Sequence, residues 1–175
     1  MIRAPSFTVP NPALASGQQV LGAEDAASIP ELLALVSNSA RLRDVHEEAR
    51  RKLHVTDDKD DYPRNGCAIF LSCLLARSGI AVTDENWALD LARQLLSRGW
   101  EPIEVGRQQP GDVGTTCVDE RSAGVDHVYL VADVDARGRM TVVDNQEGGL
   151  PHERPVAAEG SYSPTTMFLR PPPMR

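Results

Sequence analysis

The chain changes its hydrophobic period once, near Trp100, and that switch constrains its fold more than any other feature. Before it, apolar residues recur at helical spacing. Leu32, Leu33, Leu35 and Val36 open the pattern, and Leu42, Val45, Ala49 and Leu53 continue it to about His54 after a break at Ser37-Asn38-Ser39. Phe70, Leu71, Leu74 and Leu75 mark a third helix over about 66–78, with Asn65 as its N-cap and Gly79 as its stop. Trp87, Ala88, Leu91, Ala92, Leu95 and Leu96 mark a fourth, which begins after Thr83, carries Asp84 and Glu85 at its N-terminus and stops at Gly99. The first helix is expected to start at Ser28, which has capping-box spacing to Glu31 with Pro30 in the first turn.

Past Trp100 the runs are short and strand-like: Pro102 to Val105, His127 to Val134, Met140 to Asp144 and Thr165 to Leu169. Gln109-Pro110-Gly111-Asp112 and Asp135 to Gly138 are turn chemistry. Helices followed by a strand meander predict an α+β fold, with N-terminal helices packed on a small antiparallel sheet. The length of 175 residues suits one domain, expected over 28–170. Residues 1–27, rich in Pro, Ala and Ser, are expected to be an irregular lead-in, and 171–175 an extended peripheral tail.

The net charge of -7 argues against a nucleic-acid partner, which calls for basic patches. No run approaches the ~20 apolar residues of a membrane span. Met1 to Val20 is interrupted by Pro5, Pro10 and Pro12 and has no apolar core of a signal peptide. The expectation is a cytoplasmic protein or one exported by a route without a cleaved signal. Asp57, Asp58, Asp60 and Asp61 form an acidic stretch, but it lacks the central glycine and terminal glutamate of an EF-hand, so a solvated loop is the better reading. No His, Cys and Asp spacing matches a zinc site, and neither metal nor organic cofactor is expected. Cys67, Cys73 and Cys117 allow one reactive thiol plus a Cys73–Cys117 bridge, or three free thiols.

Cys67 lies in the first turn of an apolar helix, where the dipole and free N–H groups stabilise a thiolate and can also hold an oxyanion. His127, opening a strand after a polar loop, is placed to take the thiol proton. His46, on a charged helix, and His54 and His152, in loop or end positions, are weaker candidates. Asp144, Asn145 and Gln146 end the strand expected to pair with that of His127. One residue of register decides which of them reaches the imidazole.

The segment Asn65-Gly66-Cys67-Ala68-Ile69-Phe70-Leu71-Ser72 resembles the nucleophile helix of the NlpC/P60 and CHAP amidase superfamily. Gln109-Pro110-Gly111-Asp112-Val113 is similar to that group's Pro-Gly-Asp turn, and His127-Val128-Tyr129-Leu130-Val131 with Val142-Val143-Asp144-Asn145-Gln146 to its histidine hairpin. The likeness covers roughly residues 60–146 and extends to signal-less amidase effectors of type VI secretion. It implies a papain-like fold and a cysteine peptidase or amidase that cuts peptidoglycan stem peptides or cross-links, with Cys67 as nucleophile and His127 as base. Asp144 is the preferred orienter, with Asn145 the papain-style alternative. Gly66 replaces the polar residue often found before the cysteine, so Tyr62 or Asn65 is expected to supply the missing oxyanion donor. The effector likeness also implies action in the periplasm and an immunity or inhibitor protein as partner. A hydrolase or deamidase acting on a protein amide, and a non-catalytic binding module, stay open as alternatives.

Overall fold

The computed structural model describes residues 15–56, 62–117 and 126–173, with side chains from residue 22 to 53 in the first of these stretches. The acidic stretch from Asp57 to Asp61 lies outside the described residues. The fold is α+β, with four α-helices and a six-stranded antiparallel sheet among the described residues. The helices are α1 (Ala15–Val36), α2 (Ser39–Thr56), α3 (Cys67–Arg77) and α4 (Ala88–Ser97). The strands are β1 (Glu101–Ile103), β2 (Val113–Thr115), β3 (Val128–Val134), β4 (Met140–Val143), β5 (His152–Arg154) and β6 (Met167–Arg170), in spatial order β1-β6-β2-β3-β4-β5. No described helix is long and apolar enough to cross a membrane.

Two expectations about the N-terminal half are corrected. The first helix begins at Ala15, not Ser28, so residues 15–27 are helical rather than irregular. Alanine is the best helix former, and a segment rich in it needs no cap at residue 28. Ser28 sits inside α1 with its hydroxyl on the Glu24 carbonyl (3.4 Å). Pro30 is also interior, at the cost of a helix hydrogen bond. Burial of Leu32, Leu35 and Val36 just beyond it offsets that loss. The second correction concerns α4, which starts at Ala88 and leaves Asp84 and Glu85 outside it. Asp84 is drawn to Lys52 (2.8 Å), and the Glu85 N–H donates to the Ser72 hydroxyl (3.3 Å). Trp87, expected in the buried stripe, is 44% exposed at the N-cap.

The break between α1 and α2 falls at residues 37–38, where the Asn38 side chain accepts from the N–H groups of Ala40 and Arg41 (3.1 Å each) and caps α2. Two buried aspartates lock distant elements together. Asp25 of α1 accepts both Nε and Nη2 of Arg98 (2.9 and 2.6 Å) and the Trp100 indole N–H (2.9 Å). Asp112 accepts both Nε and Nη2 of Arg170 (2.7 and 2.8 Å) together with the Gln109 N–H, tying the Pro-Gly-Asp turn to β6. The tail is less peripheral than expected: Pro171 is buried, and Pro172 packs on α1 where a Cβ at Gly22 would meet it at 2.7 Å.

The sheet has two buried faces. Val128, Leu130 and Val143 join the main core with α3 and its neighbours, whereas Tyr129, Val131, Met140, Val142 and Phe168 form a second cluster on the opposite face. Strand alternation alone assigns them. The register Leu130↔Val143 and Val131↔Val142 brings the end of β4 beside the start of β3. That juxtaposition, with α3 packed on β3, builds the site.

Candidate active site

Cys67 opens α3 as its first residue. The expected cap, Asn65, does not cap it. Asn65 is exposed at a left-handed φ of 58°, and Gly66 takes the N-cap position with no side-chain hydrogen bond. Among the described residues, no cap side chain therefore claims the N–H groups of the first turn, which have no partner inside a helix. Gly66 is demanded by packing: a Cβ there would lie 2.6 Å from the Tyr62 ring and 3.1 Å from the Pro63 carbonyl. The missing Cβ at Gly66 thus leaves room for the Tyr62 ring against the turn that leads into α3.

His127 immediately precedes β3. Its backbone is held from both sides by Thr116, whose hydroxyl accepts the His127 N–H (2.8 Å) and whose N–H donates to the His127 carbonyl (3.0 Å). The imidazole Nε2–H donates to Asp144 Oδ2 at 2.7 Å. Nε2 being so occupied, Nδ1 is the ring nitrogen left for the Cys67 sulfur, whose charge and that of the ring favour each other, while the thiol itself lies 4.0 Å from the Asp126 carbonyl. Asp144, 0% exposed, also accepts the Gln146 N–H on Oδ1 (2.7 Å). Of the three polar residues after β4, Asp144 is therefore the one on the histidine. The Gln146 side chain is exposed. Asn145 is turned elsewhere: its side-chain amide N–H donates to the Pro63 carbonyl, and its backbone carbonyl accepts from His46 Nε2 (3.3 Å). Asn145 thus braces the segment that carries Tyr62 and Gly66.

The electrostatics follow from these contacts. Burial pushes the Cys67 thiol up, but the His127 hydrogen bond and charge, with the Val128 N–H, outweigh it and leave the thiol below its usual value. Burial opposes charge on His127 as well, yet Asp144 and the sulfur lift it to about 9. Asp144 is likewise opposed by burial and held low by His127, by His152 and by the Gln146 N–H. The three groups thus favour a thiolate, an imidazolium and a carboxylate in a row. The other cysteines move the opposite way. Burial raises Cys73 to about 11 and Cys117 to about 12, and both are free thiols, so the Cys73–Cys117 bridge does not form.

Sequence reasoning passed over two residues beside the triad. His152, taken as a loop or end residue, lies on β5, paired with Val142 of β4. Its Nδ1–H donates to the Leu150 carbonyl (3.1 Å), and its Nε2 stands 3.7 Å from Asp144 Oδ2. His46 of α2 packs edge-on against Tyr62, with ring centroids 4.7 Å apart. No local pattern marks either; only the β4–β5 pairing and the α2 docking bring them in. Among the described residues the buried Tyr62 hydroxyl has no hydrogen-bond partner, and burial raises its pKa, so it remains a neutral O–H donor. Among the described residues, no group of three or more His, Cys, Asp or Glu is arranged to hold a metal ion.

A scan of protein-family models, a search of curated proteins and a search of solved structures each found no match for this chain.

Proposed function

We propose that the chain is a papain-like cysteine hydrolase of the NlpC/P60 type that cleaves amide bonds in peptidoglycan stem peptides or cross-links. The observation that carries the reading is the linked row Cys67, His127 and Asp144, placed at an uncapped helix N-terminus. A structural cysteine needs neither a raised histidine nor a buried carboxylate behind it.

The thiolate of Cys67 attacks the amide carbon, and the carbonyl oxygen takes the negative charge. First-turn N–H groups of α3, with the Tyr62 hydroxyl as the side-chain donor, stabilise that oxyanion. Imidazolium His127 gives its Nδ1 proton to the leaving amine as the C–N bond breaks. A water then attacks the thioester while His127 takes its proton, the acid is released and the thiolate is restored. Asp144 holds the ring in the Nε2–H form throughout.

The resemblance over residues 60–146 supplies the substrate class. The test is muropeptide chromatography of purified sacculi treated with wild type and with Cys67→Ala. New products with wild type alone are expected. Identical profiles across sacculi of several stem-peptide chemistries would turn the reading to a protein amide.

A further inference from the structure

Arg154 of β5 is only 4% exposed, a degree of burial that charged side chains rarely reach unless paired. Two other arginines of this protein reach buried ground by forking a carboxylate: Arg98 on Asp25 and Arg170 on Asp112. Arg154 has no such partner among the described residues. Its one hydrogen bond to a carbonyl is Nη2 to Ser163 (3.2 Å), and its buried Nε has none. The guanidinium lies between two aromatic faces, 4.7 Å from the Tyr129 centroid and 4.8 Å from that of Tyr162. Cation–π contacts offset part of the desolvation, but an unpaired buried charge remains costly.

Arg154 and Tyr162 are among the residues that line an open cavity of about 520 Å³, between the start of β4 and the chain that follows β5. Neither Cys67, His127 nor Asp144 is in its wall. Met140 and Val156 give it an apolar side, while Glu153 and Glu159 stand at its rim. We propose that this cavity binds a peptide carboxylate, which supplies the counter-charge that Arg154 lacks. A planar monoanion matches the guanidinium fork and the flat wall of Tyr162. Glu153 is answered by Arg139 in the same wall (3.8 Å), which leaves Glu159 to repel a dianionic phosphate more strongly than a monoanion. The apolar side accepts the side chain next to the carboxylate. The site stands apart from the hydrolase reading and does not depend on it.

The test uses the full chain, labelled with nitrogen-15, and follows the arginine Nε–Hε resonances. The Arg154 signal is assigned by its loss in Arg154→Lys. The probes are N-acetylalanine, its neutral amide and inorganic phosphate. N-acetylalanine is expected to move the Arg154 signal saturably, and the amide to leave it in place. In Arg154→Lys, followed on the backbone amide resonances of Val156 and Ser161 in the cavity wall, binding should weaken at least tenfold. Ser161→Trp, which fills the cavity mouth without touching the guanidinium, should do the same should the lysine variant fail to fold. Cys67→Ala should bind like wild type, which separates this result from any failure of the hydrolase reading. Shifts with phosphate alone would overturn the ligand class. No saturable shift with either anion would make Arg154 a clamp on the chain after β5 and overturn the site.

Discussion

Asp112 and Asp144 are both wholly buried, yet their partners set them to different work. Asp112 is forked by Arg170, whose guanidinium keeps its charge at every pH a protein meets. Asp144 is answered by His127, whose charge can come and go, and which in turn touches a thiol. An aspartate backed by arginine is a rivet. One backed by histidine can hand its influence to a reacting atom. Burial of a carboxylate does not by itself mark a site; the titratability of its partner does.

Four experiments sharpen or break this contrast. The largest effect is expected for Cys67→Ala, which should lower hydrolysis by at least about 10³-fold. Its melting temperature should stay near that of wild type, since only one sulfur atom is removed. Retained turnover would end the contrast at its functional end. Next, Asp144→Ala should lower kcat/KM by roughly 10²–10⁴-fold, and Asn145→Ala by less than about tenfold. A greater loss in Asn145→Ala would move the orienting role to the neighbouring residue.

Asp112→Ala should act in the other currency. Removing one partner of a buried pair costs roughly 3–5 kcal/mol. Arg170 retains 26% exposure, so the loss should fall near or below the lower end of that range. Denaturant unfolding would read it, and kcat of the folded fraction should be unchanged. A fall in kcat at full folding would show that the rivet also serves the site.

The smallest effect is one of pH. His127, raised to about 9, is an imidazolium below that pH and loses its proton above it. Hydrolysis, which needs this proton for the leaving amine, should decline as pH rises through about 9. Alkylation of Cys67 by iodoacetamide needs only the thiolate and should not decline there. Its acid limb should lie below the ordinary thiol value of ~8.5, because the folded thiol is lowered. Parallel alkaline declines in both assays would remove the acid role of His127.

The chain announced its architecture through period: the helices from residue 28 onward and the β3–β4 hairpin followed from apolar spacing. It was opaque where elements are short. Val113-Gly114-Thr115 and His152-Glu153-Arg154 are three-residue strands, too brief to show alternation, and both are fixed by neighbours on the sheet. Gly114 illustrates the point, since Tyr129 lies where its Cβ would be. The thiol and the imidazole were legible from their places at element starts. The choice of Asp144 over Asn145 hung on one residue of register, and only strand pairing supplied it. Asn65 looked like a cap by residue type, but the turn from Tyr62 to Gly66 holds it in a left-handed conformation instead.

Strand β6, the last in sequence, lies between β1 and β2 rather than at the rim. During synthesis on a ribosome, the segments that flank it emerge first and must wait with their hydrogen-bonding edges open. Closing the sheet therefore requires a late insertion between distant partners, a step of long loop closure that slows folding. Until then two edges offer themselves to any other extended chain. A cell making this protein has reason to shield nascent chains, and a truncation before Met167 would leave β1 and β2 as permanent templates for aggregation.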